Sequence, residues 1–199
     1  MKGATVLLSV LTRLLDSLFP RRCVGCGQRA SLGLICSRCR PVKTELTRFE
    51  AGYFGYPYEG IYRKLLHDLK FSHRRDVLPL IRSLVNTDIY ASYDFVIPVP
   101  SHWLRRLEHG CDPIHLIFQQ QRGRVNRCRY TPAFHTLGKD ERAKLIRQVF
   151  VVTSPEMFKG ANVLIVDDIY TTGATFRELK QTLLNAGAAT VDGYFLTRA

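Results

Sequence analysis

The stretch Asn162-Val163-Leu164-Ile165-Val166-Asp167-Asp168-Ile169-Tyr170-Thr171-Thr172-Gly173-Ala174-Thr175 constrains this chain more than any other. Val163 to Val166 is an unbroken apolar run, and such a run predicts a central parallel strand buried on both faces of a sheet. Open α/β sheets bind their ligands at the carboxyl ends of the strands. Asp167 and Asp168 stand there, where carboxylates accept hydrogen bonds from vicinal sugar hydroxyls and help hold a divalent ion that neutralises a diphosphate. Thr171, Thr172, Gly173, Ala174 and Thr175 then supply hydroxyls and backbone N–H groups, with Gly173 letting the chain come close to a ligand. A helix from about Thr175 to Ala186 points its N-terminus at the same place, which favours a phosphate dianion. The plainer reading is a strand-to-helix turn with an ordinary Asp or Thr cap. Two adjacent acids after four buried apolar residues would be an odd cap, and the convergence favours a grip for ribose-5-phosphate.

This pattern resembles the phosphoribosyl diphosphate motif of type I phosphoribosyltransferases.

Near the other end, Cys23-Val24-Gly25-Cys26 and Cys36-Ser37-Arg38-Cys39 form two CxxC pairs with nine residues between them, 27 to 35. Each pair can wrap a metal as a tight knuckle, so Cys23, Cys26, Cys36 and Cys39 are candidate thiolate ligands of a tetrahedral Zn2+ site. A disulfide framework competes with that reading. A chain with this motif and without a cleavable signal looks cytosolic, where thiols stay reduced. The role predicted for zinc is structural, because a ribbon this short buries no core and folds through its metal. Cys111 and Cys128 stand alone and read as ordinary small side chains.

At 199 residues the chain has room for one α/β domain of about 140 residues plus a small metal module. The divisions read from composition are an amphipathic helix over 1–20, a ribbon over 21–42, an aromatic strand pair or linker over 43–62, and the α/β domain over 63–199. In the first segment Ala4, Leu7, Leu8, Leu11, Leu14, Leu15 and Leu18 recur at helical spacing, while Lys2, Arg13 and Asp16 interrupt any signal-peptide core. Its apolar face packs on its own domain or binds a membrane surface or a partner. No run reaches the 18 or so apolar residues of a membrane span.

Phe49, Tyr53, Phe54, Tyr56 and Tyr58 predict a strand pair whose aromatics serve the core, with base stacking as the sharper alternative. Apolar spacing predicts helices over Glu59 to Lys70 and Val77 to Ile89. The basic cluster Lys70-Phe71-Ser72-His73-Arg74-Arg75 between them could meet phosphate or simply be solvated. Asp94 to Ile97 reads as a second strand running into Pro98, Val99, Pro100 and Ser101, a stiffened exit suited to presenting backbone to a diphosphate. Lys70 and Arg105 are candidates for reaching that group.

Taken in order, the ribbon, the aromatic hairpin, Leu69-Lys70-Phe71, Ile97-Pro98-Val99-Pro100 and the Asp-Asp/Thr-Thr-Gly loop resemble the ComF family, competence-associated proteins with a phosphoribosyltransferase-like fold. The resemblance covers essentially residues 21 to 199. It implies a part in natural transformation and DNA uptake, at the cytoplasmic side of the inner membrane, in contact with the uptake machinery. It also implies that Asp167 and Asp168 meet ribose and Mg2+, that Thr171 to Thr175 meet the 5-phosphate, and that Pro98 to Ser101 meet the diphosphate. The chain departs from the family on the acceptor side. Members typically read Arg-Gly-Phe-Asn-Gln where this chain has His109-Gly110-Cys111-Asp112-Pro113, and a usual Gln and Asn fall on Phe134 and Leu145.

Charge points to a polyanionic partner. With 29 Lys and Arg against 17 Asp and Glu, the net charge is +12, dense from Arg122 to Arg147 through Arg124, Arg127, Arg129, Lys139, Arg142 and Lys144. Single-stranded DNA is the natural candidate, held by its phosphates, since no base-reading module is visible. Two classes of function fit the residues: a Mg2+-dependent phosphoribosyltransferase with an unidentified acceptor, and a module that binds phosphoribosyl diphosphate and DNA without chemistry. The scattered histidines His102, His109 and His115 offer no obvious general base, which favours the second.

Overall fold

This computed structural model describes residues 22–30, 34–101, 112–119, 125–128 and 149–199. Within them the chain forms β1 (Thr47–Phe49), β2 (Gly52–Pro57), α1 (Gly60–Phe71), α2 (Leu78–Leu84), β3 (Phe95–Pro98), α3 (Pro113–Phe118), β4 (Val125–Arg127), β5 (Phe150–Val152), β6 (Asn162–Tyr170), α4 (Ala174–Asn185) and β7 (Thr190–Arg198). The five-stranded sheet has the order β1-β2-β7-β6-β3. Its strands β2, β7, β6 and β3 run parallel, and β1 closes one edge as an antiparallel hairpin with β2. A separate antiparallel pair joins β4 to β5.

The apolar run does what its composition dictates. Val163, Leu164, Ile165 and Val166 are each 0% exposed, between β7 on one side and β3 on the other. Alternation splits them between two cores. Leu164 and Val166 meet Leu65, Leu66 and Leu69 of α1, Ile81 and Leu84 of α2, and Ile117 and Phe118 of α3. Val163 and Ile165 meet Phe176, Leu179 and Leu183 of α4. Full burial of each such side chain stabilises the fold by about 1.5–3 kcal/mol.

Several elements differ from their sequence-based bounds. β6 does not stop at Val166. Its pairing with β7 continues through Asp167↔Phe195, Ile169↔Thr197 and Tyr170↔Arg198, so the two acids lie inside the strand. The helix expected over Val77 to Ile89 ends at Leu84, and Val85 is extended. Two buried tyrosines explain the stop: Tyr56 Oη donates to Leu84 O at 3.2 Å, and Asn86 N donates to Tyr194 Oη at 2.8 Å. Side chains of β2 and β7 thus take over hydrogen bonds that another helical turn would have used.

The aromatic hairpin is an edge of the main sheet, with β2 paired to β7 from Gly52 to Pro57. Phe49 sits edge-on to Tyr170 at 4.9 Å and to Phe54 at 5.6 Å, and Tyr56 stacks on Tyr62 at 4.4 Å. These rings serve the interior, the first of the two uses weighed above.

Among the described residues no helix is long and apolar enough to cross a membrane. The helix expected over residues 1–20, His102, Arg105, His109 to Cys111, Phe134, Leu145 and the basic stretch from Arg122 to Arg147, apart from residues 125–128, lie outside the described residues.

Candidate functional site

The cleft at the carboxyl end of β6 is built by a tight turn. Thr171, Thr172 and Gly173 connect β6 to α4, whose first residue is Ala174. Gly173 adopts φ 70°, a left-handed conformation that L side chains rarely adopt. A Cβ on it would also strike the Tyr170 ring, lying 2.6 Å from Cζ. Tyr170 is itself fixed edge-on against Phe195 at 4.8 Å, so glycine is required there on two grounds. The turn is closed by Ala174 N donating to Thr172 Oγ1 at 3.4 Å and Arg177 N donating to Gly173 O at 2.9 Å.

Asp167, Ile169, the turn from Thr171 through Thr175, and Phe176 line the cleft, and Phe195 closes it from β7. The amino end of a 12-residue helix and threonine hydroxyls supply donors, and one carboxylate supplies an acceptor, for a phosphorylated sugar. Tyr170, Phe176 and Phe195 were not legible as cleft residues in the sequence, since each reads there as plain core; strict strand alternation applied to β7 would have pointed to Phe195.

The two acids part company. Asp167 is half-buried at the cleft, whereas Asp168 is 3% exposed and lines none of it. Asp168 Oδ2 lies 2.5 Å from Lys70 Nζ. Burial, and after it the charge of Asp168, push the Asp167 carboxyl up to about 7, with Lys70, the Asp168 amide and Arg127 pulling the other way. Asp168 N donates to Asp167 Oδ1 at 2.9 Å.

Pro98, Val99, Pro100 and Ser101 reach the same edge of the sheet. Pro98 pairs with Val166, and Val99 N donates to Val166 O at 2.9 Å. They run beside β6 without lining the threonine cleft. Ser101 Oγ donates to Asp112 Oδ1 at 3.2 Å, and that carboxylate also caps α3 by accepting from His115 N.

The basic cluster that begins in the last turn of α1 pairs part of its charge internally. Lys70 meets Asp168, and Arg74 bridges Asp68 at 3.4 Å and Asp76 at 2.6 Å.

The second candidate centre is the ribbon. The Sγ atoms of Cys23, Cys26, Cys36 and Cys39 all lie within 4.8 Å of one another. Gly27 N donates to Cys23 O at 2.8 Å and Cys39 N to Cys36 O at 3.1 Å, which forms the two knuckles. Gly25 is required by crowding, since a Cβ there would sit 2.8 Å from Cys39 Sγ. Four thiols this close cannot all ionise unaided. Burial raises the Cys23 thiol, but amides led by that of Cys36 outweigh it and hold the group at about 6. Cys39, hydrogen-bonded to Cys26 and Cys36, is pushed up to about 12. A soft divalent cation at the centre resolves that conflict, and the donor set fits a metal such as zinc.

A mostly parallel open sheet flanked by helices, a strand–turn–helix cleft lined by Asp167, and a four-cysteine ribbon define an α/β protein. No protein-family model matches the chain. It is 32% identical over 151 residues to the DNA utilization protein YhgH of Shigella flexneri, covering 67% of this chain and 66% of that protein. The protein of the same name from Escherichia coli O157:H7 is 31% identical over the same shares. Competence protein ComFC of Bacillus subtilis (strain 168) is 25% identical over 194 residues, 89% of this chain and 78% of that one. A solved structure of the allosteric regulatory enzyme of purine biosynthesis overlaps 68% of this chain and 26% of its own, with a TM-score of 0.32 and 19% identity. The chain is thus similar to proteins named for DNA utilization and for competence. It spans 66% of the length of the first of these curated relatives.

Proposed function

We propose that this chain binds phosphoribosyl diphosphate with Mg2+ at the carboxyl end of β6, and that it serves DNA utilization and competence, as the names of its relatives state for them. One observation carries the reading. Asp167, the Thr171–Thr175 hydroxyls and the amino end of α4 face a single cleft. A sugar diol suits the carboxylate, and a 5-phosphate suits the helix end. Mg2+ would arrive with the diphosphate and neutralise part of its charge, and Asp167 could offer it a hard oxygen ligand. In the ribbon, Zn2+ held by Cys23, Cys26, Cys36 and Cys39 is structural. The excess positive charge holds single-stranded DNA through its phosphates, in the cytoplasm.

A second reading has one observation in its favour. A carboxyl at about 7 is poised near the working pH of a general base, so Asp167 could accept a proton from an acceptor attacking the anomeric carbon. Diphosphate release with candidate acceptors separates the two readings.

Melting of the metal-loaded protein tests the binding site. Phosphoribosyl diphosphate and Mg2+ at about a hundred times the dissociation constant add about 2.7 kcal/mol, a rise of roughly 5–10 °C in melting temperature. The rise should vanish in Asp167→Asn. A folded wild type that does not respond removes this site as the basis of function.

A further inference from the structure

Consecutive residues of a strand leave opposite faces of a sheet. Asp167 opens to the threonine cleft on the side of α4. Asp168 enters the other side, where Leu69 of α1 packs with Leu164 and Val166. An uncompensated carboxylate in such a place is strongly destabilising. Lys70, in the last turn of α1, brings the countercharge to Oδ2 at 2.5 Å, and the two side chains are 23% and 4% exposed. Among the described residues Oδ2 receives no directed hydrogen bond besides this ion pair. The backbone of Asp168 is held as well: its carbonyl accepts from Thr197 Oγ1 at 2.9 Å, and its amide donates to the Asp167 carboxylate at 2.9 Å. A displacement of Asp168 is therefore passed to Asp167 through the peptide bond they share and, to its carboxylate, through this hydrogen bond.

We propose that Lys70 is a positioning residue: by neutralising Asp168 on the far face of β6 it fixes the strand end from which Asp167, alone of the two acids, meets the ligand. The proposal rests on the phosphoribosyl diphosphate reading and divides labour between acids that the sequence presents as equivalent. It also assigns Lys70 to Asp168 and not to the diphosphate. The geometry favours this, because the ammonium lies on the face of the sheet away from the cleft.

Binding of phosphoribosyl diphosphate with Mg2+, measured by calorimetry on the metal-loaded protein, tests it together with melting. Lys70→Met strands a buried charge and should weaken binding at least about tenfold and lower the melting temperature. Lys70→Arg should retain most of the affinity. The decisive variant is Lys70→Met/Asp168→Asn, which removes both charges and should recover both affinity and melting temperature to near wild type. A folded double variant that binds as weakly as Lys70→Met overturns the proposal, for Lys70 would then touch the ligand or Asp168 would be the ligand group. A wild type that binds nothing overturns the function proposed above, and with it any role for Lys70 beyond holding Asp168, which the melting temperatures read separately.

Discussion

The cysteine ribbon and the strand pair β6–β7 hold their shapes by opposite means. From Arg22 to Arg40 only Cys23, Val24 and Ala30 are buried among the described residues, and the four sulfur atoms make the only centre around which that segment turns. In β6 four successive side chains are wholly buried, and the strand is paired along its length with β7. One region is centred on four sulfur atoms that could hold a metal ion, and the other is specified by the exclusion of water. The difference shows where each is sensitive: the ribbon at its four cysteines and Gly25, the strand at its buried apolar residues and at Asp168, whose loss would leave Lys70 unpaired.

Metal removal is the harshest way to break that comparison. Structural zinc contributes about 10–16 kcal/mol of apparent binding energy in finger peptides. Chelation, or Cys36→Ser, should unfold residues 22–40 while the sheet keeps its far-ultraviolet circular dichroism. Unchanged hydrogen exchange over the ribbon after chelation would show that packing of Val24 on α1 suffices.

The converse change falls on the core. Leu164→Ala should cost about 2–5 kcal/mol by denaturant unfolding, with metal content unaltered. If metal is lost as well, the two regions fold as one unit.

Gly173→Ala tests the turn between them in scale. A left-handed φ and the Tyr170 ring oppose the added methyl, for a cost of about 1–3 kcal/mol, and the ligand-induced rise in melting temperature should disappear. A variant that still responds to ligand would show that the turn can open without loss.

The dependence on pH has opposite signs in the two regions. Asp167 has its folded value raised from 3.8 to about 7, so the ligand-free fold binds a proton that the unfolded chain releases. That contribution is fully present below 3.8 and is lost as pH rises through about 7. Ligand that needs the carboxylate should bind more tightly across the same rise. The metal-loaded ribbon should instead strengthen with pH, because thiolates, not thiols, are the ligands. Melting curves of the ligand-free protein at a series of pH values, with metal release followed alongside, check both slopes; parallel slopes would refute the assignment.

Much of the architecture was legible because its causes are local in sequence. Val163 to Val166 has no polar residue with which to alternate, so a strand buried on both faces was forced. Phe176, Leu179 and Leu183 lie three and four apart and commit α4 to one face. The CxxC spacing carries its own geometry, and the four sulfur atoms converge as that spacing implies. The end of α2 was not legible, because hydroxyls from Tyr56 and Tyr194 decide it from distant positions. Nor was the hairpin's place in the sheet, since pairing of β2 with β7 joins residues more than a hundred positions apart.

By itself the sequence determined which segments must be buried, where four cysteines cluster and where an acid pair meets a Thr-Gly turn, because burial, ligand spacing and turn chemistry are written in neighbouring residues. The tertiary structure decided what each acid does. Strand alternation sends Asp167 and Asp168 to opposite faces, and only the packing of α1 against one face brings Lys70 within 2.5 Å of Asp168 while Asp167 keeps the cleft. A contact between residues 70 and 168 depends on how a helix lies across a sheet, and no local pattern encodes that.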